Sequence, residues 1–356
     1  MTTLAPATAP GLVGVATANP PTAYTQQDVL DLYRIEDERI RSLFLNGHID
    51  QRYLHIPEPG PDGVPVMESQ GELLAKHRTD GIELASRALT SFLKESGADL
   101  SDVRYLCCVT STGAMTPGFS ARLVKELGLR VDCGRLDVVG MGCNAGLNGL
   151  TATASWAAAH PGKLAVMICV EVCSAAYVFD GSMRTAVVNG LFGDGAAAVG
   201  VLAGAEQTAG PRVLKFASRI IPEAVEAMRY DWDDAQGKFS FFIDRDVPYV
   251  VGAHAEEAVN TLLDGTGLRR SDIAHWIVHS GGKKVIDAVK VNLGLEGHDL
   301  RHTVSVLRDY GNLSSGSFLF SYQRLLREES VRPGDHAVLM TMGPGSQIET
   351  ALLRWP

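Results

Sequence analysis

ALTSFLKESGADLSDVRYLCCVTS (Ala88–Ser111) aligns without a gap, 170 residues apart, with AVNTLLDGTGLRRSDIAHWIVHSG (Ala258–Gly281). Ala88 pairs with Ala258, Leu93 with Leu263, Gly97 with Gly267, Ser101-Asp102 with Ser271-Asp272, and Val103 with Ile273. Each segment reads as an amphipathic helix, a glycine-containing turn and a buried strand. A second echo supports the first. The Gly-rich turn Phe192–Gly195 precedes the strand-like AAAVGVL, and Met342–Gly345 precedes SQIETALL. The chain therefore reads as two duplicated α/β halves, 1–205 and 206–356, with mixed sheets covered by helices. No Pro/Ser-rich linker separates them, which predicts tight packing. A pseudo-twofold axis would bring equivalent loops together and build one composite site from both halves.

Composition bounds the function. With 356 residues, 46% of them hydrophobic, and 37 glycines, the chain can bury a large core. A formal charge of −9 argues against a nucleic-acid partner and against an anionic membrane surface. No apolar run is long enough to span a bilayer. Met1–Gly11 lacks a basic n-region and a continuous apolar stretch, so it reads as a loose tail rather than a signal peptide. The six cysteines are then expected as reduced thiols in the cytoplasm. Cys169 and Cys173 have no matching second pair, so no metal site is expected.

The chemistry starts at VVGMGCNAGLNGL (Val138–Leu150). Gly140 and Gly142 permit a tight backbone ahead of Cys143, and a helical pattern follows to about His160. A cysteine where a strand gives way to a helix N-terminus sits among unpaired N–H groups that favour the thiolate. In the duplication, Val109 corresponds to His279, at the end of the strand in WIVHSGGKK (Trp276–Lys284). The same offset sets Cys143 opposite Leu313, next to Asn312 in LRDYGNLSSGSF (Leu307–Phe318). Taken singly, these could be a packed thiol, a hydrogen-bonded structural histidine and a helix cap. Taken together, they bring a thiol, an imidazole and a carboxamide to one place. That set suits covalent catalysis with oxyanion donors.

Cys143, His279, Asn312 and the Gly343-Pro344-Gly345 loop, in this order, resemble the thiolase-fold condensing enzymes. Within these, LFGDGAAA (Leu191–Ala198), YGNLSS (Tyr310–Ser315) and MGPG (Met342–Gly345) are similar to the type III polyketide synthases, the chalcone and stilbene synthase family. The resemblance runs from about residue 11 to 354. It implies a thiolase-like α/β fold with two halves layered αβαβα. GMGCNAGLN (Gly140–Asn148), AMRYDW (Ala227–Trp232) and HSGGKKVID (His279–Asp287) further resemble a bacterial branch, the 3,5-dihydroxyphenylacetyl-forming synthases of glycopeptide-antibiotic pathways.

The resemblance implies roles. Cys143 takes the starter acyl group from a CoA thioester. His279 and Asn312 bind the malonyl-CoA carbonyl as CO2 leaves. Phe192 and Phe241 stand as gatekeepers between a CoA tunnel and the cavity. Cys173, Tyr177, Trp232, Ser314 and the Gly343-Pro344-Gly345 loop line the cavity, with Cys173 and Ala176 standing where plant relatives have threonines. Trp232, counted back from Phe241 without gaps, takes the place of a glycine and is expected to shrink the cavity. Arg39, Arg41, Arg52, Lys283 and Lys284 are expected around the CoA phosphates. Malonyl-CoA would be both starter and extender, giving a tetraketide cyclised to a dihydroxyphenylacetyl unit, with no metal or redox cofactor. A homodimer is implied by the loop TSTGAMTPG (Thr110–Gly118), although Thr116 replaces the methionine common before its proline. Downstream enzymes would act on the product.

Rival readings differ in testable features. A tetrahydroxynaphthalene-forming synthase needs one more extension and a larger cavity. A ketoacyl-carrier-protein synthase III-like enzyme shares Cys, His and Asn but docks an acidic carrier, which a chain of net charge −9 does not favour. A papain-like protease carries its cysteine near the mature N-terminus and forms disulfides. A catalytically dead chain-length factor typically lacks the cysteine that is intact here.

Overall fold

The computed structural model describes residues 9–204 and 210–356. The boundary expected at 205/206 falls on 205–209, outside the described residues, as does most of the expected N-terminal tail. The first half runs β1 (Gly11–Ala18), β2 (Ala23–Thr25), α1 (Gln26–Leu32), α2 (Glu38–Leu45), β3 (Gln51–Tyr53), α3 (Gln70–Ser96), β4 (Val103–Thr110), α4 (Phe119–Leu127), β5 (Gly134–Val139), α5 (Ala145–Ala159), β6 (Leu164–Glu171), α6 (Met183–Leu191) and β7 (Gly195–Leu202). The second runs β8 (Arg212–Ile220), β9 (Met228–Asp233), β10 (Lys238–Ile243), α7 (Val247–Leu263), β11 (His275–Val278), α8 (Lys283–Leu293), α9 (Arg301–Tyr310), α10 (Ser317–Arg327), β12 (His336–Gly343) and β13 (Gln347–Arg354).

Local signals in the duplicated segments explain these boundaries. Ser69 and Glu72 form a capping box at the start of α3, and Gly97 ends it with φ of 70°. Gly267, its counterpart, also has positive φ. A short 3-10 turn, Leu100–Asp102 in one copy and Arg270–Asp272 in the other, then feeds β4 and β11. Leu84, Ala88, Leu89 and Phe92 of α3, and Val251, Ala255, Ala258 and Leu262 of α7, form the buried stripes that the helical period predicts.

One sheet of nine strands carries the duplication, in the order β11-β12-β13-β8-β1-β7-β6-β4-β5. Read inward from either end, β4-β6-β7-β1 and β11-β12-β13-β8 are the same arrangement, and β5 is the extra edge strand. β4–β6 and β11–β12 pair in parallel, while β6–β7 and β12–β13 pair antiparallel. The two half-sheets meet through a single β1–β8 pair, Gly11 with Arg212. Helices α3 and α4 cover one outer face, α7 and α8 the other, and α5 and α10 lie between the half-sheets. The layers are therefore α-β-α-β-α. Strand β6 (LAVMICVE) is buried throughout, as a strand covered on both faces must be. Among the described residues, no helix is long and apolar enough to cross a membrane.

Candidate active site

Cys143 sits in the 3-10 turn Gly142–Asn144, between the end of β5 and the start of α5. It is 6% exposed. Gly142 adopts φ of 72°, and a Cβ there would lie 2.2 Å from the Pro344 ring, so only glycine fits. The Gly343-Pro344-Gly345 loop thereby closes directly onto the Cys143 turn. All six cysteines are free thiols.

Two segments of the second half complete the site. His279 directly follows β11, and its main-chain N–H donates to the Met340 carbonyl at 2.8 Å, which ties it to β12. Asn312 stands between α9 and α10. Its Oδ1 accepts the Ser314 N–H at 2.8 Å, which fixes the carboxamide and leaves its NH2 as the donor on the Cys143 side. An isolated bridge between Phe192 and Asn312 joins this loop to the first half. Ser314, at φ of 47°, donates its hydroxyl to the Cys143 sulfur at 3.5 Å.

Two cavities meet at this point. The inner one, about 340 Å3, is lined by Cys143, Cys173, Ala176, Ser314, Pro344, Met228 and Tyr230, with Ser111 and Thr112 on a further wall. The outer one, about 540 Å3, contains Cys143, His279 and Asn312 and opens between Arg39, Arg245, Lys283 and Lys284. Phe192 and Phe241 border both, with ring centroids 6.0 Å apart at 81°. The thiol, imidazole and carboxamide predicted from the duplication thus share one crevice.

Burial dominates the electrostatics. It pushes the Cys143 thiol up to about 12, against the hydrogen bonds from Ser314 and Asn312. It pushes the His279 imidazole down to about 3. The resting ring is therefore neutral with one N–H. Among the described residues its Nδ1, sealed from solvent, has no partner, so a proton there would be orphaned. The proton belongs on Nε2, which then donates into the cavity.

Several expected pocket and CoA-binding residues lie elsewhere. Trp232 is 51% exposed and packs on Phe239 at the outer end of the β9–β10 hairpin, so it does not narrow the cavity. The residue opposite Phe241 in the hairpin register is Tyr230, and that ring, 4.9 Å from Phe241, fills the space. Tyr177 turns its hydroxyl away from the cavity onto Arg52 and the Phe192 carbonyl. Gly343 and Gly345 hold Pro344 without lining the inner cavity themselves. Arg52 is fully buried and offers nothing to a phosphate. Arg41 spends its guanidinium on the Ile35 carbonyl and Gln27. Arg39, Lys283 and Lys284 do gather at the outer mouth, where Lys283 also pairs with Asp287 at 2.8 Å. Sequence reasoning missed Tyr230, Met228, Ser111 and Arg245. Period-two alternation along β9 would have put Met228 and Tyr230 on one face, but only the hairpin register excludes Trp232. Among the described residues, no group of three or more His, Cys, Asp or Glu is placed to hold a metal ion.

Comparison with known proteins agrees with this geometry. Residues 5–207 match the family model for chalcone and stilbene synthases, N-terminal domain, and residues 214–355 match the C-terminal domain model. A 3,5-dihydroxyphenylacetyl-CoA synthase of Streptomyces toyocaensis is 64% identical over 97% of this chain and 90% of its own length. A protein of the same description from Amycolatopsis orientalis is 62% identical over 96% of this chain and 92% of its own. The crystal structure of PKS-I from the brown alga Ectocarpus siliculosus superposes with a TM-score of 0.89 at 26% identity, covering 98% of this chain and 99% of that one. Two matched halves, a shared crevice holding Cys143, His279 and Asn312, and close full-length relatives lead to one assignment: the chain belongs to the chalcone and stilbene synthase family of type III polyketide synthases.

Proposed function

We propose that this protein condenses malonyl-CoA, as starter and extender, into a tetraketide that closes to a 3,5-dihydroxyphenylacetyl product. The observation that carries this reading is the small inner cavity joined to the crevice of Cys143, His279 and Asn312. Cys143 is the nucleophile. Its proton goes to the departing CoA sulfur, while the Ser314 hydroxyl at 3.5 Å supports the thiolate that burial disfavours. The sulfur attacks the starter thioester, and CoA leaves with the proton. Malonyl-CoA then enters from the outer cavity. As CO2 departs, charge builds on the thioester oxygen, where His279 Nε2–H and the Asn312 NH2 donate. The enolate carbon attacks the Cys143 thioester and forms the C–C bond as the acyl–sulfur bond breaks; Cys143 leaves as thiolate, and the extended chain, now on CoA, reloads it for the next round. The required carbanion comes from decarboxylation.

Arg39, Lys283 and Lys284 at the outer mouth suit the CoA phosphates. Phe192 and Phe241 divide the tunnel from the cavity in which the chain grows. The inner volume of about 340 Å3, narrowed by Tyr230, favours a short polyketide over a tetrahydroxynaphthalene precursor. We infer a homodimer, since among the described residues β5 ends the nine-stranded sheet with an unpaired edge that a second copy could cover.

The deciding experiment incubates the pure protein with malonyl-CoA alone and identifies products by mass spectrometry. The expected product carries a dihydroxyphenylacetyl group. Tetrahydroxynaphthalene as the main product would refute the cavity argument. Dependence on an added carrier protein would favour the ketoacyl-carrier-protein reading.

A further inference from the structure

Arg52 heads the largest side chains in the protein that have no solvent exposure. Among the described residues, no carboxylate lies within ion-pair distance of its guanidinium. A buried cation without a counter-charge is costly unless its donors are met. Here they are met by neutral oxygens. Nε and Nη2 donate to Gln26 Oε1 at 3.1 and 2.7 Å. Nη1 lies 2.7 Å from the Tyr177 hydroxyl, 2.6 Å from the Asn189 carbonyl and 2.7 Å from the Phe192 carbonyl.

Those carbonyls belong to the end of α6, where a helix leaves its last carbonyls without intrahelical partners. Each of four in a row is met from outside the helix. Asn189 O accepts from Arg52, and Gly190 O from Gln26 Nε2 at 2.7 Å. Leu191 O accepts the Asn312 N–H at 2.9 Å, and Phe192 O accepts from Arg52 and Tyr177. The negative end of the helix thus serves as the counter-charge for the guanidinium. Gly193 N–H returns a bond to the Asn312 carbonyl at 3.0 Å. The Arg52 stem also fills the space beneath Gly311. A Cβ at Gly311 would lie 2.8 Å from Arg52 Cδ and 2.7 Å from the Leu191 carbonyl oxygen.

We infer that Arg52 is a positioning residue for malonyl-CoA decarboxylation. It fixes the seam of Leu191–Gly193 against Gly311-Asn312, and so aims the Asn312 carboxamide and the Phe192 ring at one thioester. This rests on the reading that Asn312 acts on that thioester. Arg52 touches no substrate. It acts through the backbone that carries Asn312, and Cys143, on a separate turn of the first half, lies outside its reach.

The test separates these steps in the full-length protein. Arg52→Lys keeps a charge and loses the planar fork. Gln26→Glu conserves volume, but it draws the guanidinium into an ion pair and removes the donor to Gly190 O. Three readouts are taken: CO2 release from malonyl-CoA, the rate of Cys143 alkylation by iodoacetamide, and the melting temperature. A displaced catalytic donor can cost up to about a hundredfold in rate. Both variants are expected to lose at least about tenfold in kcat for CO2 release. The KM and the alkylation rate should stay within about threefold of wild type, a split that a general packing defect does not produce. A raised KM with unchanged kcat would make Arg52 a CoA ligand and overturn the inference. So would alkylation and decarboxylation falling together with the melting temperature. If Arg52→Lys does not fold, Gln26→Glu decides alone, and wild-type kcat in that variant ends the proposal. Wild-type protein that releases no CO2 refutes the function itself. Wild-type protein that releases CO2, with variants that match it, refutes only the role of Arg52.

Discussion

Ser314 serves both proposed catalytic groups, Cys143 and Asn312, from one strained position. Its main-chain N–H holds the Asn312 carboxamide oxygen, and its hydroxyl points at the Cys143 sulfur. Its φ of 47° is uncommon for a residue with a side chain, and such strain persists only where the surroundings enforce it. Burial raises the Cys143 pKa, and the Ser314 hydroxyl is the strongest influence pulling it back. A hydrogen bond to a thiolate favours the charged form, so removing it must move the pKa further up. Ser314→Ala keeps the backbone conformation and deletes only the donor. The pH profile of Cys143 alkylation by iodoacetamide should shift to higher pH by roughly 0.5–1 unit, the equivalent of about 1 kcal/mol for one lost hydrogen bond. A profile superimposable on wild type would show that this hydroxyl does not tune the sulfur. Asn312 itself was legible in the sequence because it neighbours the position that duplicates Cys143. The service of Ser314 to both groups was not, because a φ above zero in a serine leaves no compositional trace.

At the scale of elements, the β9–β10 hairpin sets the size of the inner cavity. Met228 and Tyr230 reach the cavity, while Trp232 and Phe239 pack together outside it. The sequence located the aromatic cluster and misassigned its inward member. Counting nine residues back from Phe241 ignores where the hairpin turns, and the pairing of Phe241 with Tyr230 is a register that only the folded hairpin defines. Arg52 was misjudged for a related reason. A cation in a short strand reads as a surface charge until the end of α6 is seen packed over it. Tyr230 also anchors the hairpin, through a hydroxyl 3.4 Å from the Ser111 carbonyl. Tyr230→Ala should enlarge the cavity and move the product distribution towards chains with one more malonyl unit, read by mass spectrometry after incubation with malonyl-CoA. Tyr230→Phe keeps the ring and should retain the wild-type products. An unchanged distribution in Tyr230→Ala would mean that other walls limit chain length.

At the scale of the molecule, the duplication was the most legible feature, because helix, turn and strand recur with their caps and glycines in both copies. The mirrored order β4-β6-β7-β1 and β11-β12-β13-β8 follows from it. The union of both half-sheets through a single β1–β8 pair does not, since one backbone pair has no sequence signature. The consequence for catalysis is a division of labour. In the proposed mechanism the nucleophile sits in the turn ahead of α5 in the first half, and the carbonyl donors sit just after β11 and in the α9–α10 loop of the second. Each half-reaction should therefore survive removal of the other half's group. Cys143→Ala should abolish polyketide formation yet still release CO2 from malonyl-CoA, because the enolate forms at His279 and Asn312. Asn312→Ala should do the reverse. It should keep Cys143 open to alkylation and acyl loading while decarboxylation falls by at least about a hundredfold, the usual cost of losing one oxyanion donor, near 3 kcal/mol. Radiolabelled malonyl-CoA with scintillation counting of released CO2, beside mass spectrometry of the acylated protein, reads both steps. If Cys143→Ala also loses CO2 release, decarboxylation depends on the acylated sulfur, and the two halves work as one unit rather than in succession.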